Sequence, residues 1–203
     1  KAQGRIRKCK VGMKKTTILG TGSYLPSKVL TNRDLSQILD TNDEWIVSRT
    51  GIKERRIVAE GQTCSDLAYE ASVKALKDGH LAADDLDMII LATLTPDKRL
   101  PSTACLLQDK LKAKKAAVYD IGVACSGFVY GLSIADQYIK TGARSRILVV
   151  GTEVMSKVLN WKDRSTCILF GDGAGAAVLG PAKTEEKIIL STHLFSNGSL
   201  YRL

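Results

Sequence analysis

Val118-Tyr119-Asp120-Ile121-Gly122-Val123-Ala124-Cys125-Ser126-Gly127-Phe128 is the stretch whose reading decides the fold. Its first four residues predict a buried strand, and Phe128, Leu132, Ala135 and Ile139 follow at helical spacing. A tight turn between the two puts Cys125 in the first turn of that helix. Unpaired backbone N–H groups and the positive end of the helix dipole meet there. They favour a thiolate over a thiol and offer donors to an oxyanion. Gly127 and Gly131 leave room for a substrate or another backbone to approach. Position alone leaves two readings of Cys125 open, a nucleophile or a small buried hydrophobe, because unpaired cysteines are among the most buried residues.

The other cysteines show why position is not decisive. Cys64 follows a candidate N-cap, Thr63, with Asp66 three residues on as a capping box, so the same dipole argument applies to it. Cys105 falls within a helical stretch and Cys167 within the apolar run Ile168-Leu169-Phe170, and both read as core. Cys9 belongs to a basic leader.

Outward from the cysteine turn, strands alternate with helices. Thr17 to Tyr24 predicts a first strand entering a glycine-containing loop closed by Pro26. Thr31 with Asp34, and Asn42-Asp43-Glu44-Trp45, predict two helix starts, and Gly51 ends the second. Thr63 to Lys77 predicts a long amphipathic helix with Ala68, Ala71 and Ala75 inward, closed by Gly79. Met88-Ile89-Ile90-Leu91-Ala92 is a continuous apolar strand, as expected where both faces of a sheet are covered. Pro101-Ser102-Thr103 opens a helix through Lys112, and Ile147-Leu148-Val149-Val150 is a further strand. The alternation predicts an α/β fold with a mixed, mainly parallel sheet and helices on both faces. The helix after Cys125 carries Phe128, Val129, Tyr130, Leu132, Ile134 and Ala135 round most of its circumference, which predicts that something outside this chain covers it.

Composition narrows the class. The chain has 203 residues, 44% of them hydrophobic, enough for one large domain or half of a bigger fold. Five cysteines without CxxC spacing, and His80 and His193 as the two histidines, argue against a disulfide scaffold or a zinc site. A reducing, cytoplasmic compartment is expected. No apolar run approaches the roughly 20 residues that cross a bilayer. Of the net charge of +9, five charges are Lys1, Arg5, Arg7, Lys8 and Lys10, in a leader without acids. The remaining lysines and arginines are interleaved with Asp and Glu, which describes a solvated surface and no nucleic-acid stripe. Residues 1–12 are expected to lie outside the native fold, Met13 to be the start, 13–190 to form one α/β unit, and 191–203 to lead out of it.

Four segments, taken in order, resemble β-ketoacyl-acyl carrier protein synthase III of the thiolase superfamily. They are Gly20-Thr21-Gly22-Ser23-Tyr24-Leu25-Pro26, Asp43-Glu44-Trp45-Ile46-Val47-Ser48-Arg49-Thr50-Gly51-Ile52, Ala124-Cys125-Ser126-Gly127-Phe128 and Phe170-Gly171-Asp172-Gly173-Ala174-Gly175-Ala176. The resemblance runs from about Met13 to Leu203 and covers the N-terminal part of the family's chain. It implies the N-terminal half of a thiolase-like fold, a homodimer, and an acyl transfer followed by a condensation. Acetyl passes from coenzyme A to a cysteine, and the thioester condenses with malonyl-acyl carrier protein as carbon dioxide leaves. Cys125 matches that cysteine, which favours it over Cys64.

The resemblance assigns further roles. Trp45 and Arg49 match the positions that hold coenzyme A, by stacking on adenine and reaching phosphate, with Arg164 a second flanking arginine and Thr41 a polar contact nearby. From the residues alone Trp45 reads as a core anchor and Arg49 as a helix C-terminal cap. Met155 and Phe170 match walls of the acyl pocket, and Leu100 the residue lent by a neighbouring subunit; alone, all three read as core. Gly171-Asp172-Gly173-Ala174-Gly175 has no following lysine to make a phosphate loop and is expected to be a tight turn before a core strand. The family's catalytic histidine and asparagine match nothing here, since His193 falls in the crossover segment and His80 after a helix end. No metal or redox cofactor is implied. Two other readings remain: a non-catalytic half-subunit that pairs with a separate thiolase-like partner, and a related starter-unit condensing enzyme.

Overall fold

A computed structural model describes residues 14–184 and 187–202. The leader, with Cys9 and Met13, lies outside the described residues. Seven strands and five helices follow in chain order: β1 (Thr16–Tyr24), β2 (Lys28–Thr31), α1 (Asn32–Leu35), α2 (Asp43–Thr50), β3 (Glu54–Ile57), α3 (Cys64–Asp78), β4 (Met88–Ala92), α4 (Thr103–Leu111), β5 (Ala117–Ile121), α5 (Gly127–Thr141), β6 (Ile147–Val154) and β7 (Asp172–Pro181).

The main sheet has the order β1-β7-β6-β4-β5. β4 pairs in parallel with β5 and with β6, whereas β7 pairs antiparallel with β6 and with β1. The sheet is mixed, as expected, but its pairings divide evenly between the two kinds instead of being mainly parallel. β4 is buried throughout and its side chains alternate between two cores. Ile89 and Leu91 face α3 and α4 with Leu67, Ala68, Ala71 and Leu107, while Met88 and Ile90 face α5 with Ala135 and Ile139. Helices therefore cover both faces.

Small residues set how closely these layers approach. A Cβ added at Gly22 would lie 2.2 Å from the Ala71 carbonyl oxygen, so the glycines of Gly20-Thr21-Gly22 let β1 press against α3 and cradle no phosphate. On the other face a Cβ at Gly127 would lie 2.6 Å from Ala92 Cβ, and one at Gly131 2.7 Å from Val149 Cγ1. The room beside Gly127 and Gly131 is taken by the sheet and not by a substrate.

Three expectations are corrected. β5, read as a buried strand, is the sheet's edge and is only half buried. The run Gly171 to Gly175 is not a turn before a strand; from Asp172 onward it is the strand β7 itself. Cys125 does not sit in the first turn of α5 but in a single tight turn, Ala124–Ser126, directly before it.

A smaller sheet of β2 and β3 lies beside the main one and brackets α1 and α2. The cap signals are used as read: the Asp34 carboxylate accepts from the Thr31 N–H, Asn42 caps α2, and Gly51 closes α2 with φ 73°. Leu35, Ile46, Cys167 and Ile168 form a satellite core on which Trp45 and Trp161 pack. The buried guanidinium of Arg55 ties it together by donating to the Leu30 and Ile168 carbonyls and to Asn32 Oδ1. No helix among the described residues is long and apolar enough to cross a membrane.

Candidate active site

β4 and β5 end in register, and β6 runs three residues beyond them to Val154. Ala92 on β4 stands opposite Ile121 on β5 and Gly151 on β6, so the loops after all three strands leave the sheet along one edge. Ligands of α/β sheets collect at such carboxyl ends. Cys125 lies there, exposed and unpaired. Ala124 before it has φ 48°, a left-handed conformation that costs a residue with a Cβ about 1 kcal/mol or more, and that persists only where the surroundings enforce it. Three residues on, Gly127 lies close against Ala92 at the end of β4. No side chain caps the start of α5, so Ser126 leaves the first-turn N–H groups without a side-chain acceptor. An exposed thiol beside uncapped donors does not fit the reading of Cys125 as a buried hydrophobe.

The loops around the turn are fixed by carboxylates. Glu153 on β6 accepts from the Leu94 N–H at 2.8 Å and from Thr95 Oγ1 at 2.6 Å, pinning the loop after β4. Asp120 on β5 accepts from the N–H groups of Thr103 and Ala104 at 2.7 and 2.8 Å, so the strand leading to Cys125 also caps α4. Leu100, just before α4, is 85% exposed, and its reading as ordinary core does not hold.

Cys64 is the opposite case. It opens α3 but is only 2% exposed, enclosed by Thr93 Oγ1 at 3.4 Å and Thr152 Oγ1 at 3.5 Å. Burial pushes its thiol up to about 11 against hydrogen bonds that work the other way. Cys167 is also buried, and burial raises its thiol too. Cys105 sits part-buried on α4, where Ser102 Oγ contacts it at 3.3 Å.

A second cluster forms on α2. The guanidinium of Arg49 lies 4.4 Å from the centroid of the Trp45 ring and that of Arg164 4.9 Å, although Arg164 is distant in sequence. Arg164 is held in turn by the Asp40 carbonyl and by the Asp40 carboxylate at 3.6 Å. Trp45 is half buried, less than a core anchor requires, and both arginines are exposed. Thr41 Oγ1, one residue before the α2 cap, is buried without a hydrogen-bond partner. Trp45, Arg49 and Arg164 are thus brought together. Neither a hydrogen bond nor a ring contact among the described residues joins Cys125 to them. Met155 lies in the turn after β6 and Phe170 just before β7, both half buried. His80 and His193 are exposed, and His193 Nε2 contacts Ser191 Oγ at 3.1 Å.

Sequence reasoning missed Asp172, Ser156 and Trp161. Asp172 stood within a motif assigned to the backbone alone, and no periodicity marks the other two.

The family model described as 3-oxoacyl-[acyl-carrier-protein (ACP)] synthase III matches residues 119–198. A curated relative, the β-ketoacyl-[acyl-carrier-protein] synthase III of Caldanaerobacter subterraneus subsp. tengcongensis, is 58% identical over 182 residues, or 90% of this chain and 55% of its own length. The crystal structure of 3-oxoacyl-[acyl-carrier-protein] synthase III from Aquifex aeolicus VF5 has a TM-score of 0.82 at 56% identity, over 83% of this chain and 55% of that one. The priming β-ketosynthase of the R1128 polyketide pathway also scores 0.82, at 36% identity, over 85% of this chain and 52% of its own. The chain spans about half the length of the relatives it matches. Sequence and fold agree, and the chain belongs to the β-ketoacyl-[acyl-carrier-protein] synthase III family.

Proposed function

We propose that this chain carries the acyl-transfer part of a synthase III site, with Cys125 as acyl acceptor and coenzyme A thioesters, acetyl-CoA first, as donors. The observation that carries this reading is the convergence of Arg49 and Arg164 on Trp45. An aromatic face with two guanidinium forks suits a purine that bears phosphates.

The Cys125 thiolate attacks the thioester carbonyl, and the oxyanion that develops is met by backbone N–H groups at the α5 start. Collapse expels the coenzyme A thiolate, which takes up a proton, and leaves acyl-Cys125. In the full reaction malonyl-acyl carrier protein then loses carbon dioxide. The enolate so formed attacks the acyl-Cys125 carbonyl, and acetoacetyl-acyl carrier protein departs as the Cys125 thiolate is restored. The histidine and asparagine that the family resemblance assigns to this second step have no counterpart assigned among these 203 residues, whose two histidines are His80 and His193. The chain therefore acylates but does not condense by itself. Met155 and Phe170 would wall the acyl chain, and Thr41 would assist at the nucleotide. Leu100, held out by the turn before α4, would enter the pocket of a second copy in a cytoplasmic homodimer. The higher identity to the synthase III of Aquifex aeolicus VF5 than to the R1128 priming enzyme favours the fatty-acid reading over a polyketide starter synthase.

Intact-protein mass spectrometry after incubation with acetyl-CoA, followed by peptide mapping, tests this. A single acetyl group on Cys125, lost in Cys125→Ala, is expected. The absence of an adduct, or one on Cys64, would refute the acceptor role. Release of acetoacetyl-acyl carrier protein by this chain alone would refute the division between the two steps.

A further inference from the structure

Asp172 is only 4% exposed, and its carboxylate accepts three hydrogen bonds, none of which the pairing of β7 requires. The Val58 N–H donates to it at 2.8 Å, Ser156 Oγ at 2.6 Å and the Ser156 N–H at 2.9 Å. The Ser156 carbonyl in turn accepts from Trp161 Nε1 at 3.0 Å. Trp161 packs on Leu35, Ile46, Cys167 and Ile168, the same cluster that carries Trp45. One buried carboxylate thus holds the end of β3, the turn after β6 and, through that turn, the indole that shares Trp45's support. Met155 precedes Ser156 and Phe170 lies two residues before Asp172, so both expected acyl-wall residues hang on the same tether.

Two cavities flank it. Ser156 and Trp161 border one of about 300 Å³, and Phe170 and Asp172 border another of about 410 Å³. The Asp172 to Ser156 bonds thus join a lining residue of one cavity to a lining residue of the other. A shift in this carboxylate would move the nucleotide platform against the acyl wall. Displacements near 1 Å suffice to impair a bound substrate's alignment.

We propose that Asp172 is a positioning residue that sets the tryptophan platform relative to Met155 and Phe170, and thereby the affinity for the coenzyme A thioester. This rests on the reading that Trp45 meets the coenzyme. An aspartate suits the place because three donors converge on it, whereas the amide of Asn must turn its NH₂ toward one of them.

Trp45 and Trp161 are the chain's two tryptophans, so tryptophan emission, excited selectively over the six tyrosines, reports on this platform. Asp172→Asn and Ser156→Ala are made in the full chain and compared by acrylamide quenching without ligand, by titration with coenzyme A, and by Cys125 acetylation across acetyl-CoA concentrations. Expected are a quenching constant raised about twofold or more, coenzyme A binding weakened about tenfold in Asp172→Asn and less in Ser156→Ala, and an unchanged acetylation rate at saturation. Ser156→Thr, which keeps the hydroxyl, should restore both. Quenching and affinity within experimental scatter of the parent in both variants would overturn the proposal, as would a lower melting temperature with neither moved. If Asp172→Asn fails to fold, Ser156→Ala decides alone. If the parent chain itself does not bind coenzyme A, the nucleotide reading of Trp45 falls and the affinity claim falls with it. The ligand-free quenching arm then still shows whether Asp172 holds the platform.

Discussion

Cys64 opens α3 and Cys125 lies in the tight turn just before α5, both helices pack on the main sheet, and sequence position alone argues the same chemistry for both. They differ in what surrounds them. The α3 start is closed: Asp66 accepts from the Thr63 N–H at 2.8 Å, Asp97 accepts from the Ser65 N–H at 2.8 Å, and Thr93 and Thr152 enclose the thiol. The α5 start is open, with an exposed thiol, a strained residue before it and no side-chain cap. A thiol at a helix N-terminus is therefore open to a reagent only where the sulfur reaches water. At Cys64 desolvation outweighs the hydrogen bonds from Thr93 and Thr152.

The largest expected difference is in thiol reactivity. With its thiol near 11, Cys64 is about one part in ten thousand thiolate at pH 7, and burial hinders the reagent further. Iodoacetamide should label Cys125 at least about 100-fold faster than Cys64 in the native chain, read by peptide mapping over time, with the difference vanishing in denaturant. Comparable native rates would break the comparison outright.

Next in size is the support beneath the open turn. A Cβ at Gly127 would sit 2.6 Å from Ala92 Cβ, an atom fixed to its backbone, so the start of α5 must move. Alanine normally gains up to about 1 kcal/mol over glycine in a helix, while overpacking costs about 1 to 3 kcal/mol. Overpacking should win, with Gly127→Ala lowering stability by about 2 kcal/mol in urea denaturation. A stabilised variant would mean that Ala92 does not hold the turn.

How much of this was legible follows from the range of each signal. The caps Thr31, Asn42 and Thr63, the stop at Gly51 and the apolar run of β4 are local patterns, and the elements fall where they predicted. That β5 is an edge strand and that β7 runs antiparallel depend on pairing between distant segments, which an apolar run does not encode. β7 is also rich in glycine and alanine, so it lacks the β-branched signature of a strand. The approach of Arg164 to Trp45 had no local signal at all and came only through the family resemblance. Asp172 was hidden because a single aspartate among glycines reads as turn chemistry.

A middle-sized effect is the pH dependence that the buried Cys64 gives to stability. The folded thiol of Cys64 lies near 11 and its ordinary value is 9.0, so below pH 9 both folded and unfolded chains keep the proton and the full contribution is present. Between pH 9 and 11 the unfolded chain ionises first and stability is lost, by about 1 to 2 kcal/mol in all, somewhat under the full linkage value. The stability difference between the parent and Cys64→Ala should shrink across that window when followed by denaturation at stepped pH. A difference independent of pH would mean that Cys64 is not desolvated as the fold describes.

The smallest contrast concerns the caps and tests whether the α5 start is open by construction. Partial burial raises the Asp66 carboxyl, but hydrogen bonds from Lys110 and Thr63 outweigh it and hold the group below its ordinary value. A depressed carboxyl contributes stability above its unfolded value and loses it as pH falls through the folded one. Asp66→Ala should therefore cost about 1 kcal/mol at pH 7, a typical capping loss, and progressively less in acid. Ser126→Ala at the other helix start removes no cap bond and should fall within about 0.5 kcal/mol of the parent. If both substitutions cost the same, the first-turn donors of α5 are already satisfied. Exposure alone would then distinguish Cys125 from Cys64.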